Sequence, residues 1–293
     1  MSRITHIPVL LDEVLNYLQP SQNKSFVDGT VGQGGHAQVL LERILPEGRL
    51  LGIDRDQENL DIAVERLKKF GSNVVLTQGS YSQIKELTYA NGFSQIDGIL
   101  LDLGFSSGHI ESSKRGFTFM ADEPLDMRYD QNQELTAKEI VNNWSEEELA
   151  KIFRQLGEER NARQIAKAIT VAREANPILT SAALAELVAS VIGRTGKIHP
   201  ATRVFQALRI ATNNELGELE KALPEMVDLL TPGSRLVIIS FHSLEDRIVK
   251  QFFKSQEGKK LKTITKKVVC PTKTEIKNNP RARSAKLRVA ERK

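Results

Sequence analysis

A turn crowded with glycines constrains the fold of this chain more than any other feature. Residues 28–36 read Asp-Gly-Thr-Val-Gly-Gln-Gly-Gly-His, between an apolar stretch and a segment of helical periodicity, and Asp54 closes the next apolar stretch. Glycine lets a backbone approach a ligand where a Cβ would collide, and an acid about 20 residues further on can accept hydrogen bonds from a ribose. The pattern predicts an α/β fold that holds an adenosine-bearing ligand.

Short apolar stretches, partly β-branched, recur along the chain with helical patterns between the first four. This alternation is typical of βαβ units and of a mostly parallel sheet. Two further strand candidates in the tail are expected to pair as a hairpin and to add two edge strands. The predicted strands are 25–31, 49–54, 73–79, 97–103, 235–241, 262–269 and 286–290, and the predicted helices around the sheet are 9–18, 35–45, 57–70, 81–91 and 201–230.

Between the fourth and fifth strands the sequence becomes helical. Capping boxes that begin at Thr136 and Ser145 mark helix starts, because each hydroxyl and the carboxylate three residues later satisfy free backbone donors. Apolar residues then recur at helical spacing. We therefore predict that residues 108–197 form an inserted helical subdomain with a role in substrate recognition. Residues 1–107 and 198–293 together form the domain that contains the sheet.

The basic charge is concentrated at the end of the chain. The net charge is +4, yet residues 247–293 hold 16 lysines and arginines against three glutamates. Such a segment fits contact with phosphate backbones, and a solvated, partly disordered terminus is the alternative. The single cysteine, Cys270, excludes a disulfide framework within the chain, and no apolar run approaches the length of a membrane span. We expect a cytoplasmic protein, and the five scattered histidines show no metal-site spacing.

Polar side chains stand where the predicted strands end. Tyr81 follows the third strand and Asp102 ends the fourth. Because ligands of open α/β sheets bind outside the carboxyl ends of the strands, we expect the Tyr81 ring against an adenine and Asp102 facing an ammonium group. His36 and His242 are expected at the edge of the same cleft, each either catalytic or a buried structural histidine.

Two adenosine cofactors are compatible with the glycine turn. Gly32, Gly34 and Ala37 satisfy the Gly-x-Gly-x-x-Gly/Ala fingerprint of nicotinamide dinucleotide sites, which is weak on its own. Asp28 at the mouth of the turn would repel a pyrophosphate, whereas it would attract the ammonium and sulfonium groups of S-adenosylmethionine. The acid favours S-adenosylmethionine.

A set of longer motifs carries a resemblance to a known family. The motifs occupy residues 28–30, 34–36, 102–104, 115–120, 124–128, 199–203, 240–247 and 278–284. Together they resemble the bacterial small-subunit ribosomal RNA cytosine-N4 methyltransferase family, also called MraW or RsmH, over virtually the whole chain. The resemblance implies a class I, Rossmann-like S-adenosylmethionine-dependent methyltransferase that acts on the N4 amine of a cytidine in the decoding region of 16S ribosomal RNA.

The resemblance also implies where the cofactor binds. Position 81 often holds phenylalanine in the family and position 109 often holds glutamine, so Tyr81 keeps an aromatic face while His109 departs from the pattern. The implied cofactor contacts are Gly34, Gly35, His36, Asp54, Tyr81, Asp102 and His109.

The chemistry requires help for a poor nucleophile, because the N4 lone pair of cytosine is drawn into the ring. Acceptors for the amine hydrogens and a ring that stacks the base would assist attack. We expect Phe105 or a nearby ring to stack the cytosine, and Asp102, Asp126 or His242 to accept from the amine.

Contacts with RNA are expected on cationic surfaces. Arg160, Arg163 and Lys167 share a predicted helical face, and Arg203 and the basic tail add to them. A solvated surface is the alternative for the helical face. Two other function classes are alternatives: an NAD-dependent dehydrogenase, and a non-catalytic assembly factor that binds ribosomal RNA.

Overall fold

A computed structural model describes residues 8–104, 113–193 and 199–293 of the chain. The chain forms two compact units: Met1–Ser106 together with Leu216–Lys293, and Ser107–Glu215. The first unit contains a sheet flanked by helices and the second is helical. The second unit runs from Ser107 to Glu215, whereas the sequence placed the helical insertion over 108–197.

The sheet of the first unit has strand order β3-β2-β1-β4-β5-β7-β6. Its first five strands are parallel, β7 is antiparallel to β5, and β6 is antiparallel to β7. The mostly parallel α/β sheet predicted from the sequence is therefore confirmed. The strands are β1 (Ser25–Asp28), β2 (Arg49–Asp54), β3 (Val74–Gln78), β4 (Ile96–Asp102), β5 (Leu230–Ser240), β6 (Leu261–Thr263) and β7 (Lys286–Arg292).

Helices cover both faces of this sheet, which explains why its central strands are apolar throughout. On one face, Val14, Leu41 and Leu67 pack against the side of β1 that carries Phe26. On the other, Leu223 packs against the opposite sides of the strands. The first face carries α1 (Leu11–Leu18), α2 (Gly35–Ile44) and α3 (Gln57–Leu67), and the second carries α4 (Ile84–Ala90), α10 (Glu215–Leu229) and α11 (Ser243–Gln256).

The basic tail is folded onto the sheet over the part of the chain that the structure describes. The two predicted tail strands pair with each other, but β7 lies between β5 and β6, so only the short β6 is at the edge. A helix, α12 (Lys273–Asn278), and a 3-10 helix, Pro280–Ser284, lie between β6 and β7. The apolar face of β7, including Leu287 and Val289, is buried in the core of the unit.

In the described part of the second unit, five helices pack around one apolar core, which includes Phe153, Ile165 and Leu208. Both predicted capping boxes are formed, with Thr136 and Ser145 accepting from the backbone N–H three residues later. The helices are α5 (Ala137–Asn143), α6 (Glu146–Gln155), α7 (Ala162–Ala175), α8 (Ser181–Ile192) and α9 (Thr202–Asn213).

The single helix predicted over 201–230 is in fact two helices. Asn214 adopts a left-handed conformation, φ 50° and ψ 37°, and ends α9 before α10 begins. Asparagine tolerates this conformation better than most residues, so it stops a helix that the apolar periodicity alone would continue. Val204 and Leu208 of α9 are buried in the helical core and not against the sheet. In the described segments no helix combines the length and hydropathy that crossing a membrane requires.

Candidate cofactor site at the carboxyl ends of the strands

Three acids lie at the carboxyl ends of three adjacent parallel strands. Asp28 ends β1, Asp54 ends β2 and Asp102 ends β4. In the sheet register, Asp28 is opposite Gly52 of β2 and Leu100 of β4. The parallel pairing therefore places these carboxylates at one edge of the sheet, as the sequence predicted for Asp54 and Asp102.

The glycine turn between β1 and α2 is held by Asp54. Gly32 and Gly34 have φ values of 52° and 79°, which other residues rarely adopt. The N–H of Gly32 donates to Oδ2 of Asp54 at 2.8 Å, and the N–H of Asp56 donates to Oδ1 at 2.9 Å. Each carboxylate oxygen has a second lone pair, so Asp54 can also accept from a ribose hydroxyl.

Asp28 lies beneath the turn and not at its mouth, where the sequence placed it. The residue is only 1% exposed, since β2 and β4 flank it on both sides. Burial raises the pKa of Asp28 to about 7, against the lowering effects of His36 and of the hydrogen bond from the Thr30 N–H, while Asp102 and Asp54 raise it further. The charge of Asp28 therefore changes with pH near neutrality.

His36 is buried and Asp102 is partly exposed, and both have buried polar atoms without a hydrogen-bond partner among the described residues. His36 is in the first turn of α2, is 6% exposed, and has no hydrogen-bond partner at either ring nitrogen among the described residues. Its Nε2 lies 3.4 Å from Oδ2 of Asp102, without hydrogen-bond geometry, and Oδ1 of Asp102 is buried and unpartnered. Buried polar atoms normally find partners, so these two side chains fit a polar ligand between β1, α2 and β4.

Thr30 ties the ends of β1 and β4 together, a role the sequence did not reveal. Its hydroxyl accepts from the N–H of Asp102 at 2.6 Å, and its own N–H donates to Oδ1 of Asp28 at 3.2 Å. Thr30 therefore fixes both acids through one side chain and one backbone group. In the sequence, Thr30 is marked only as the third residue of the first family motif, residues 28–30.

Tyr81 begins a short 3-10 helix, Tyr81–Gln83, directly after β3. Ser80 caps this helix, and the hydroxyls of Ser80 and Ser82 both donate to the carboxylate of Glu218 in α10. The ring of Tyr81 is half-buried and packs against the second face of the sheet. Glu218 is a positioning residue that sequence reasoning missed, because it is far from Tyr81 along the chain.

His242 begins α11 and acts as its N-cap. Its Nδ1 accepts from the N–H of Glu245 at 3.4 Å, while Oε2 of Glu245 accepts from the N–H of Phe241 at 2.8 Å. The other ring nitrogen, Nε2, lies 3.2 Å from Oε1 of Glu245. The next acid, Asp246, binds Arg288 of β7 with Oδ1 to Nε at 2.6 Å.

The other predicted site residues are distributed differently. Asp126 belongs to the second unit, where it accepts from Nε and Nη2 of Arg128 at 2.9 and 2.8 Å. Although burial opposes it, hydrogen bonds from Arg128 hold the pKa of Asp126 below its usual value. His109 and Phe105 lie outside the described residues.

The second unit carries a cluster of exposed cations, which we call the helical basic patch: Arg160, Arg163, Lys167 and Arg203. The first three share one side of the α7 region. Arg203 joins them because a close backbone contact brings the start of α9 to the α6–α7 turn: a Cβ on Gly157 would lie 2.5 Å from the carbonyl oxygen of Arg203.

Comparison with known proteins identifies relatives along the full length of the chain. The sequence profile of the MraW methylase family matches residues 3–293. The Ribosomal RNA small subunit methyltransferase H of Coprothermobacter proteolyticus is 49% identical over 98% of this chain and 95% of its own. The protein of the same name from Dictyoglomus turgidum is 47% identical over 99% of this chain and 98% of its own.

Similarity to solved structures is limited to the fold. The protein PH0851 superposes with a TM-score of 0.50 and 13% identity, over 98% of this chain and 46% of that one. At this identity the likeness concerns the arrangement of the backbone.

We predict that Asp28→Asn stabilises the ligand-free protein at high pH. The pKa of Asp28 in the folded protein, about 7, lies above the ordinary value of 3.8, so the native state keeps a proton that the unfolded chain loses as pH rises between these values. The contribution of Asp28 to the free energy of unfolding is fully present below pH 3.8 and is lost as pH rises through 7. The loss is about 1.4 kcal/mol for each unit by which the pKa is raised. Asparagine keeps the acceptor for the Thr30 N–H and carries no charge.

Thermal unfolding at pH 5, 6.5 and 8 measures the effect. The melting temperature of the variant should exceed that of the parent by the largest margin at pH 8, and the margin should shrink towards pH 5. Asp61→Asn, which removes an exposed carboxylate on α3, is the matched control and should show no such trend. A constant margin at all three pH values would contradict a buried, titrating Asp28.

Proposed function

The chain belongs to the MraW methylase family, and on that premise we propose that it transfers a methyl group from S-adenosylmethionine to the N4 amine of a cytidine in 16S ribosomal RNA, in the decoding region. The observation that carries the proposal is the full-length similarity to curated small-subunit ribosomal RNA methyltransferases, at 49% identity over 98% of the chain. The acidic strand ends supply the physical support.

The residues at the carboxyl ends of the strands fit S-adenosylmethionine. We propose that Gly34, Gly35 and His36 line the cofactor in the turn, that Asp54 accepts from its ribose, and that the half-buried Tyr81 ring lies against its adenine. Asp102 would accept from its ammonium group through Oδ1, which is buried without a partner. His109 is proposed from the family resemblance alone.

The cofactor supplies an activated methyl group, so the task of the chain is to align the substrate amine and to accept its hydrogens. Asp102 is the strongest acceptor among the three candidates. Both oxygens of Asp126 are engaged by Arg128. In His242, Nδ1 accepts from the Glu245 N–H and Nε2 lies 3.2 Å from Oε1 of Glu245. When Oδ1 of Asp102 accepts from the ammonium group of the cofactor, Oδ2, which lies 3.4 Å from Nε2 of His36 without hydrogen-bond geometry, is the oxygen left to accept from the amine.

Two cationic surfaces support contact with RNA. The helical basic patch presents four exposed cations on one unit, and the tail presents a second group on the sheet unit. Phosphate contacts of this kind position a protein on RNA without reading sequence. The exposed cations of the tail include Lys259, Lys262, Lys266, Lys267, Lys273, Lys277, Arg281 and Arg283.

The comparisons support neither alternative function. The family is one of methylases along the whole chain, which does not fit a dehydrogenase. A non-catalytic assembly factor would not need three acids, one of them buried, together at the strand ends. Methyl transfer therefore explains both the ancestry and the site.

We predict that the protein, incubated with labelled S-adenosylmethionine and unmodified small ribosomal subunits, labels 16S RNA at N4-methylcytidine. Digestion of the RNA and separation of the nucleosides identify the product, and naked 16S RNA is tested in parallel. Asp102→Asn removes the charge of the acceptor and should lower turnover at saturating cofactor by about 100-fold.

The matched variant is Asp97→Asn, at the opposite end of β4, where the carboxylate binds Lys24 and the Ser25 N–H. It removes the same charge from the same strand and should keep most of the activity. Label in a different nucleoside, or no label in either RNA, would refute the proposal. Undiminished turnover of Asp102→Asn would refute the role of Asp102.

We also predict that the helical basic patch contributes to RNA affinity. Arg163→Gln combined with Lys167→Gln should weaken binding of 16S RNA by roughly tenfold at low salt. It should also reduce the slope of log affinity against log salt concentration by about 0.7 to 0.9 for each lost phosphate contact. Titration at several salt concentrations measures both effects.

Lys68→Gln combined with Lys69→Gln is the control, because it removes two cations that already bind Glu65 and Glu42 on the sheet unit. Its affinity should stay within about twofold of the parent. An equal loss for both double variants would indicate a nonspecific effect of net charge and would contradict the patch.

A further inference from the structure

We propose that the buried carboxyl group of Asp28 makes the pocket distinguish the cationic sulfonium of S-adenosylmethionine from the neutral thioether of its demethylated product. The inference rests on the proposed function, since it concerns the same pocket. It assigns a specificity-determining role to a residue that the family resemblance did not place among the cofactor contacts.

The geometry puts Asp28 at the centre of an acidic cluster. Asp54 lies at the end of the strand on one side and Asp102 at the end of the strand on the other. His36, from the first turn of α2, is the basic group that interacts with Asp28, and the Thr30 N–H is its hydrogen-bond donor. Among the described residues, the titratable groups that interact with Asp28 are the carboxylates of Asp54 and Asp102 and the imidazole of His36.

This cluster has buried polar atoms that a polar ligand could satisfy. The ring nitrogens of His36 and Oδ1 of Asp102 are buried without hydrogen-bond partners among the described residues. Without a bound cation, a third negative charge at Asp28 is unfavourable because Asp28 is shielded from water and lies beside two other acids. A positive charge brought into the pocket reverses this balance and favours the ionised carboxyl.

The two ligands differ by that charge and little else. S-adenosylmethionine and S-adenosylhomocysteine share the adenosine, the amine and the carboxylate, and they differ by one methyl group and the positive charge on sulfur. The ratio of their affinities therefore isolates the contribution of the sulfonium. Because the pKa of Asp28 in the empty protein is about 7, this ratio should change across neutral pH.

Proton release provides a second signature. If the sulfonium favours the ionised carboxyl, binding of S-adenosylmethionine expels the proton of Asp28, whereas binding of S-adenosylhomocysteine expels less. Calorimetry near pH 6.5, in buffers of different ionisation enthalpy, counts the released protons. This measurement uses the unmodified chain, so it does not depend on any variant.

The decisive experiment measures the dissociation constants of both ligands by calorimetry between pH 6 and pH 8.5. For the parent chain, the preference for S-adenosylmethionine over S-adenosylhomocysteine should increase by roughly tenfold across this range. In Asp28→Asn the ratio should be smaller at pH 8.5 and nearly independent of pH. Asp61→Asn should follow the parent.

The outcomes separate this inference from the proposed function. A ratio that is independent of pH in the parent, equal proton release for the two ligands, or an unchanged pH dependence in Asp28→Asn would overturn the role of Asp28 and leave the methyltransferase assignment intact. Failure of the parent to bind either ligand would overturn the proposed function itself.

Discussion

The parallel pairing of β1 with β4 is the constraint on which the site depends. It places Asp28 and Asp102 at adjacent strand ends, and Thr30 fixes that arrangement by accepting from the Asp102 N–H while its own N–H donates to Asp28. Helices on both faces then exclude water from the strands. The acids are close together because the backbone ladder holds them there, despite their mutual repulsion.

Much of the sheet could be predicted from the sequence because its signals are local. Alternating strands and helices, the glycine turn and the capping boxes at Thr136 and Ser145 each depend on residues within one turn or one strand. Asp54 and Asp102 followed from the rule that parallel strands present their carboxyl ends at one edge. The order of β7 and β6 did not follow, because strand order in a sheet is a long-range property.

The features that the sequence did not reveal depend on distant partners. Glu218 positions the turn at Tyr81 from a helix that is 138 residues away from Ser80 along the chain. The break at Asn214 required a backbone conformation that apolar periodicity does not encode. The burial of Asp28 was missed because the residue borders a polar turn, and only the flanking strands exclude water from it.

The position of Asp28 opposes stability and suits ligand binding. An asparagine would keep the acceptor for the Thr30 N–H without the cost of burying a charge beside two other acids. A carboxyl group at this position is favourable only when a cation shares the pocket, since each charge then offsets the desolvation of the other. The energetics of one buried acid therefore favour a cationic ligand, independently of the family to which the chain belongs.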